Sequence, residues 1–343
     1  MTRFKKPSFK FSALAIACFS ALALTAVNAQ TPPTPPAATP PATKPAAAAP
    51  TASPSAPATP PAAPGALRPM KDFLKDSKTT PGFFTLHLKD EKVWIEILPS
   101  QLGKPFFFSY NIPRSVGERG LYGSQMGGSK LVEFVKIGNQ VQLIAKNTQF
   151  FAKEGTPQAQ FVAESFSDSL MSSAAVLTQP NPETKSILIE ANSLLFSDIP
   201  GYQTRLEMSF RMPFALDIRN TSFSATKNTS TLTGLEVRAH FSVPKISAPP
   251  MTPSPVPSTP PPSATPDPRS LFVSFYYSFM PLPEPMQARV ADERVGFFTV
   301  PRTDYTTDLN LKAKSHLVKR WRLEKKDPAA EVSEPKEPIV YWL

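Results

Sequence analysis

The strongest structural signal in this 343-residue chain is the stretch Leu271-Phe272-Val273-Ser274-Phe275-Tyr276-Tyr277-Ser278-Phe279. Its odd-numbered residues are all large and apolar, which is the period of a β-strand that buries one face. Upstream, Leu235–Phe241 alternates in the same way. Two strands with matching alternation predict one antiparallel hairpin. Residues 244–268 between them are then an expanded loop inside a domain, not a boundary between domains.

Proline marks two segments that cannot build a core. Of the 42 prolines, 14 lie in residues 32–69 and 11 in residues 244–268. Residues 30–69 are predicted to be a disordered, polyproline-biased linker, either a tether or a tolerated low-complexity insert. Residues 244–268 are predicted to be a disordered insertion, which is tolerated because the entropic cost of closing a loop grows only logarithmically with its length.

Most of the remaining sequence is strand-like. Phe83–Leu88 and Val93–Leu98 flank a polar turn, and Leu131–Ile137 and Val141–Ala145 flank Gly138-Asn139, so two further hairpins are expected. Additional strands are predicted at Pro105–Tyr110, Ser186–Ala191, Leu206–Phe210 and Phe214–Ile218. The predicted fold is mainly β (α+β), with an antiparallel sheet or sandwich and one prominent packed helix, flanked by the proline-rich segments.

The prominent helix is expected to begin after Thr156, which can cap it, with Pro157 in its first turn. It is predicted to continue to about Ala175, because Val162, Phe166 and Leu170 recur at helical spacing. A short second helix is predicted at about Lys312–Arg322.

The N-terminus has the pattern of a secretory signal peptide over residues 1–29. Four cations precede the apolar run Phe11–Ala26, and small residues favour cleavage between Ala29 and Gln30. Export to the periplasm or the extracellular space follows, with no membrane span after cleavage. An uncleaved anchor, or lipidation at Cys18, would instead tether the chain to a membrane. If the signal is cleaved, the mature chain has no cysteine, and disulfides and thiolate zinc ligands are excluded.

No catalytic or metal-binding motif is complete in the sequence. The three histidines, His87, His240 and His316, lack the H-E-x-x-H spacing of a zinc helix, and neither a G-x-S-x-G elbow nor a phosphate loop is present. The net charge of +10 includes the four signal cations, and no basic block has nucleic-acid-binding density. We therefore expect no catalytic residue, no metal ligand, no cofactor and no nucleic-acid partner in this chain.

One glycine-rich segment is a candidate interaction loop. It contains Gly117, Gly120, Gly123, Gly127 and Gly128. It is either a flexible loop that binds a partner or a plain surface loop between strands, with the second interpretation favoured.

The last residues, Pro338–Leu343, form an apolar strand-like run. Because an exposed apolar strand has unpaired edges and favours aggregation, the run predicts that another structural element follows it.

Several stretches resemble the N-terminal region, of unknown function, of exported bacterial zinc-dependent metalloproteases of the metzincin-like type. The most specific is Trp321-Arg322-Leu323-Glu324-Lys325-Lys326-Asp327-Pro328. Others are Pro81–Leu86, Leu102–Phe106, Pro281–Pro285, Arg289–Thr299 and Pro335–Val340. The resemblance covers roughly Met70–Leu343 apart from the proline-rich insertion.

The resemblance implies a β-rich domain over residues 70–300, followed by a connector and the first strand of a catalytic domain over residues 301–343. Zinc is expected only in that missing domain, which is the implied intramolecular partner. The chain is then a non-catalytic accessory or prodomain-like region, truncated before the zinc-binding motif. The alternative is a stand-alone exported β-rich protein that binds a partner in the cell envelope or has a structural role there. The oligomeric state is left open.

Overall fold

The computed structural model describes residues 67–246, 259–306 and 313–339. The predicted signal peptide, its cleavage site Ala29–Gln30, Cys18 and nearly all of the linker lie outside these ranges. So do the centre of the insertion and the last four residues of the predicted terminal strand. Pro338 and Ile339, which are described, are not in a strand.

The described chain is mainly β, as predicted, with four short helices. The helices are α1 (Met70–Leu74), α2 (Pro157–Ser165), α3 (Ala191–Leu195) and α4 (Tyr202–Phe210). The strands are β1 (Lys78–Thr80), β2 (Thr85–Lys89), β3 (Lys92–Ile97), β4 (Phe106–Arg114), β5 (Gln125–Ile137), β6 (Gln140–Ala145), β7 (Phe150–Phe151), β8 (Ser169–Ala175), β9 (Ile187–Glu190), β10 (Ala215–Leu216), β11 (Ser222–Thr229), β12 (Leu232–Ser242), β13 (Ser270–Met280), β14 (Thr299–Asp304) and β15 (Lys314–Val318).

These strands form three sheets. The largest has eight strands in the order β10-β12-β13-β4-β5-β6-β8, with β11 also paired to β12, and it curls into half a barrel. A four-stranded sheet has the order β1-β2-β3-β9. The third sheet joins β15, β14 and β7, and its β14–β7 pair is parallel.

The hairpin predictions are confirmed. Strands β12 and β13 pair antiparallel over their whole length, with Leu235 opposite Tyr277 and Phe241 opposite Leu271. The β2–β3 and β5–β6 hairpins also form as predicted. The proline-rich insertion therefore leaves and re-enters one sheet between neighbouring strands, and the Val243 N–H donates to the Arg269 carbonyl at its base.

Three local predictions are wrong. Helix α2 begins as predicted, with Thr156 accepting from the Ala159 N–H, but it ends at Ser165, and Leu170 lies in β8. None of its residues is buried, so α2 is not the packed helix that was expected. Leu206–Phe210 is part of helix α4 and not a strand, and strand β15 replaces the helix predicted near Lys312–Arg322.

The main core lies between the eight-stranded and four-stranded sheets. Phe84 from the loop before β2 contacts the rings of Phe106, Phe134 and Phe279, with centroids 5.3–6.0 Å apart. Helix α4 buries Tyr202, Leu206 and Phe210 in the same cluster. A smaller cluster on the other face of the four-stranded sheet packs Met70 of α1 against Trp94 and Leu188.

None of the helices in the described ranges is long and apolar enough to span a membrane.

Candidate functional site

A cleft with a volume of about 710 Å³ lies where β4, β5 and β6 meet the end of α2. Hydroxyl and amide side chains line much of it, including Ser129, Asn147 and Ser167. Phe150 and Phe166 stack in parallel at its edge, with ring centroids 4.0 Å apart. The cleft therefore combines polar groups with an aromatic wall, as ligand sites commonly do.

A lysine with two carboxylate partners lies in this cleft. Lys146 Nζ is 2.5 Å from an Asp168 oxygen and 3.1 Å from a Glu133 oxygen. The hydrogen bond to Asp168 is the main cause that raises the pKa of Lys146, so the amine stays protonated. Because the second Asp168 oxygen accepts from the Asn147 N–H, the geometry favours a structural ion pair over a reactive amine.

The second candidate surface is the segment 281–339, here called the C-terminal arm. None of its described residues is buried. It nevertheless exposes eleven large apolar side chains: Leu282, Met286, Val290, Val295, Phe297, Phe298, Val300, Trp321, Leu323, Val332 and Ile339. This number of exposed large apolar side chains in one segment makes the arm a candidate interaction surface.

Among the described residues, contacts between the arm and the domain lie beside the cleft. Strand β14 pairs with the two residues of β7, and the Lys153 N–H donates to Thr306 Oγ1 at 2.6 Å. The ring of Tyr305 packs against Phe161 of α2 and against Phe166, the residue after α2, with centroids 5.6 and 5.5 Å away. This aromatic contact is an apolar anchor for the arm.

Away from this anchor the arm is held together by polar contacts. Arg320 and Arg322 each donate to a backbone carbonyl, of Gln287 and Glu284 respectively, at 2.6 Å. A pocket of about 500 Å³ opens within the arm and is lined by Val290, Val295 and Phe297 among others. The arm is thus ordered by its backbone and charges while its apolar side chains face outward.

The five glycines of the candidate interaction loop serve different purposes. Gly117 and Gly120 have positive φ and form a turn, in which the Gly117 N–H donates to the Leu121 carbonyl. Gly127 and Gly128 lie in β5, where a side chain at Gly127 would overlap the ring of Tyr110. Gly123 lies close to the Pro113 carbonyl. Glu118 in the turn accepts three hydrogen bonds from Ser263 and Ala264, in the last part of the proline-rich insertion.

Comparison with protein families places more than half of the chain in one family. A model described as a domain of unknown function, DUF5117, matches residues 124–326. The chain belongs to the DUF5117 family. A second model, also a domain of unknown function, DUF5118, matches residues 67–115. Comparisons with curated proteins and with solved structures found no match.

The DUF5117 match includes the arm as far as Lys326 and all of the cleft lining except Phe107, which lies in the DUF5118 match. Two polar side chains of the DUF5117 segment form hydrogen bonds with the backbone of the DUF5118 segment. Asn228 Nδ2 donates to the carbonyls of Thr80 and Phe84, and Thr233 Oγ1 accepts from the Phe84 N–H at 2.9 Å. The two family segments are therefore joined by side chain–backbone hydrogen bonds as well as by a core.

The histidines do not converge on one site. His87 is in the DUF5118 segment, His240 is in β12, and His316 lies in β15 of the arm. Within the described ranges, no group of three or more His, Cys, Asp or Glu side chains is arranged to hold a metal ion. His87 is only 3% exposed and lies 2.9 Å from Thr79 Oγ1 and 3.0 Å from Glu96 Oε2.

In the eight-stranded sheet, His240 connects two polar side chains in a hydrogen-bonded relay that sequence analysis missed. Its Nδ1 is 3.0 Å from Asp217 Oδ2, and its Nε2 is 2.9 Å from Ser270 Oγ. The predicted β12–β13 hairpin already brings His240 close to Ser270 across the sheet. No sequence signal places Asp217, because it precedes a 3-10 turn at Ile218–Asn220 whose position depends on the tertiary fold.

Proposed function

We propose that this chain is the non-catalytic accessory region of an exported zinc-dependent metalloprotease of the metzincin-like type. In this proposal the C-terminal arm binds the catalytic domain, which carries the zinc. The observation that supports it is the arm itself, which is ordered but buries none of its described residues. The arm also contains the Trp321–Pro328 run that carries the resemblance to those proteases.

Physical chemistry favours a protein partner for the arm. The arm exposes eleven large apolar side chains to water. A partner that covers them would contribute roughly 25 cal/mol of favourable free energy for each Å² of apolar surface buried. A folded domain that packs on the arm would cover this apolar surface.

The first test is genetic. The coding sequence beyond codon 343 is read for an H-E-x-x-H helix with a third downstream histidine. An open frame or a remnant that encodes this motif supports the proposal. A stop codon followed by unrelated sequence contradicts it.

The second test is binding. Phe298 is 85% exposed on the arm, and Phe298→Ser should weaken binding of the full chain to the purified metalloprotease domain by at least about 10-fold, as expected for a central aromatic contact. Met208→Ser, at a residue that is 69% exposed on α4 outside the arm, is the matched control. Titration calorimetry measures both. Equal affinities for the Phe298→Ser variant and the wild-type chain would reject the arm as the interface.

One observation favours the alternative, a stand-alone exported β-rich protein that binds an envelope component. The cleft beside the arm joins polar groups to the stacked Phe150–Phe166 wall. In that case the chain is monomeric and soluble without a protease domain. Concentration-dependent association that Phe298→Ser abolishes would favour the accessory role instead.

Export itself is part of the proposal. It is supported by the basic and apolar pattern of residues 1–29 and by the small residues before Gln30.

A further inference from the structure

We propose that Ser270, His240 and Asp217 form a nucleophilic acyl-transfer site that reacts with activated carboxylic esters. This proposal goes beyond the accessory role and does not rest on it: it adds a reaction, distinct from proteolysis, to a region that the accessory role leaves without one. The three residues come from β13, from β12 and from the segment after β10, and the sheet register brings them together. Their contacts have the order carboxylate–imidazole–hydroxyl that activates a serine.

The hydrogen-bond donors can be assigned from the chemistry of the groups. The Asn220 amide, followed by His240, holds the pKa of Asp217 below its ordinary range, so Asp217 is a carboxylate at neutral pH. A carboxylate only accepts hydrogen bonds, and therefore Nδ1 of a neutral His240 carries the proton and donates it. Nε2 then has a free lone pair, which accepts from the Ser270 hydroxyl at 2.9 Å. This is the tautomer that a general base requires.

The surrounding backbone fixes the acid and the base relative to each other. The Asp217 N–H donates to the His240 carbonyl at 2.8 Å. Thr221 Oγ1 accepts from the His240 N–H and donates to the Asp217 carbonyl. Asn220 Nδ2 and the Arg219 N–H also donate to the Asp217 carboxylate. Such supporting bonds hold a reactive geometry in place before a substrate arrives.

The environment of the hydroxyl indicates the substrate class. Ser270 is half-buried on the outer face of β13, next to the partly exposed Phe272. The ring centroids of Phe272 and His240 lie 4.8 Å apart. Arg238 Cζ lies 3.6 Å from the centroid of the Phe272 ring. An aryl or short alkyl group can pack on Phe272 beside this positive charge. The Ser270 N–H already donates to the Asp267 carbonyl, so we assign activated esters, which need less oxyanion stabilisation than amides do.

The reaction proceeds in two steps. Ser270 Oγ bonds to the ester carbonyl carbon while its proton passes to His240 Nε2. The bond from that carbon to the leaving oxygen breaks, and the imidazolium returns the proton to the departing alcohol. Water then attacks the acyl-serine with His240 again taking a proton, which releases a carboxylic acid and restores the Ser270 hydroxyl. Asp217 is a positioning residue throughout.

The test uses the full chain with p-nitrophenyl acetate and with a fluorophosphonate probe. We expect a burst of about one equivalent of p-nitrophenolate and a probe adduct that peptide mass spectrometry maps to Ser270. Ser270→Ala should abolish both. Ser242→Ala is the matched control, because Ser242 lies directly opposite Ser270 in the β12–β13 pair, and it should leave both unchanged.

Two variants separate activation from a structural role. His240→Gln should slow the burst by about 100-fold, in the range expected for general-base catalysis. Asp217→Asn should slow it comparably while the thermal unfolding midpoint stays close to wild type. A burst rate unaffected by both variants, or an adduct spread over several serines, would overturn the proposal and leave the relay as a purely structural contact.

A thiol probe tests the proposal even if ester turnover is slow. In the Ser270→Cys variant, His240 should generate thiolate at neutral pH, and iodoacetamide should alkylate that position at least about 10-fold faster than in Ser242→Cys. The wild-type chain supplies the background from Cys18. Equal alkylation rates at the two positions would contradict activation by His240.

Discussion

At the scale of single residues, Glu96 connects two strands to a loop through both of its carboxylate oxygens. Oε2 lies 3.0 Å from His87 Nε2, and Oε1 accepts from Ser186 Oγ at 2.5 Å. The hydrogen bond to His87 is the main cause that lowers the pKa of Glu96 below its ordinary value of 4.5, and the bond from Ser186 adds to it. The folded state therefore prefers the ionised carboxylate.

Glu96→Gln should lower the free energy of unfolding at pH 7 by about 1–3 kcal/mol, because the charged acceptor of two hydrogen bonds is lost. A depressed pKa in the folded state stabilises the fold above the unfolded pKa, and the effect disappears as pH falls through the folded pKa. The difference between wild type and variant should thus be complete above about pH 4.5 and shrink below it. Denaturant titrations at several pH values measure this difference.

Glu91→Gln is the control, because Glu91 is exposed in the neighbouring β2–β3 turn. A Glu96→Gln variant as stable as Glu91→Gln at pH 7 would show that the hydrogen bonds of Glu96 with His87 and Ser186 do not contribute to the stability of the fold.

The resemblance motif Pro81–Leu86 also has a physical basis at this scale. A side chain at Gly82 would overlap the Asn228 amide, which bonds the Thr80 and Phe84 carbonyls. Phe84 is 1% exposed at the centre of the aromatic core. Sequence analysis could identify these residues as part of a motif but not their roles, because Asn228 lies 144 residues from Phe84 and no local pattern links them.

At the scale of elements, alternation correctly predicted three pairs of strands that are neighbours in sequence, the β2–β3, β5–β6 and β12–β13 hairpins. Leu206, Met208 and Phe210 also alternate, yet α4 forms because Tyr202, Leu206 and Phe210 share a buried helical face while Met208 is exposed. The Asp198 carboxylate accepts from the Tyr202 and Gln203 N–H groups at its start.

Helix α2 ended early for a tertiary reason. Asp168 accepts from Lys146 and from the Asn147 N–H, and these bonds hold the chain in the extended path that leads into β8. Likewise, β15 forms because β14 supplies a partner for it. The Asp217–His240–Ser270 relay belongs to the same class of feature, since it depends on which strand edges meet and not on spacing along the chain.

The anchor of the arm gives a prediction at this scale. Tyr305→Ala removes the ring contacts with Phe150, Phe161 and Phe166, which are worth about 1–2 kcal/mol together. Detachment of the arm should become about 5- to 30-fold more frequent, since each 1.4 kcal/mol is a factor of ten. Limited trypsin proteolysis at the lysines and arginines of the arm measures how often the arm detaches. The free energy of global unfolding should stay nearly unchanged.

Tyr122→Ala, at an exposed tyrosine in the glycine-rich loop, controls for the general loss of a surface aromatic. If both variants are cleaved at the wild-type rate, the aromatic cluster does not hold the arm.

At the scale of the whole molecule, two family segments form one core. The main cluster contains Phe84, Leu86 and Ile95 from the DUF5118 segment and Phe134, Leu235 and Phe279 from the DUF5117 segment. Asn228 and Thr233 add hydrogen bonds across the same junction. The two segments should therefore unfold together, although family models separate them.

Phe84→Ala tests this cooperativity. It should lower the free energy of unfolding by about 3–5 kcal/mol, the usual range for a buried phenylalanine, and it should expose amides of both segments to hydrogen exchange equally. Met208→Ala, on the exposed face of α4, should change stability by less than about 0.5 kcal/mol. Exchange that rises only in residues 67–115 would show that the segments are independent units.

The division of aromatic residues between the two clusters has an optical consequence. The main core contains phenylalanine and tyrosine and no tryptophan among its described members. Trp94 lies instead in the smaller cluster beneath α1, and Trp321 is exposed on the arm. Fluorescence of these two tryptophans will thus report docking of α1 and covering of the arm as two separate signals. The third tryptophan, Trp342, lies outside the described residues and adds its own emission.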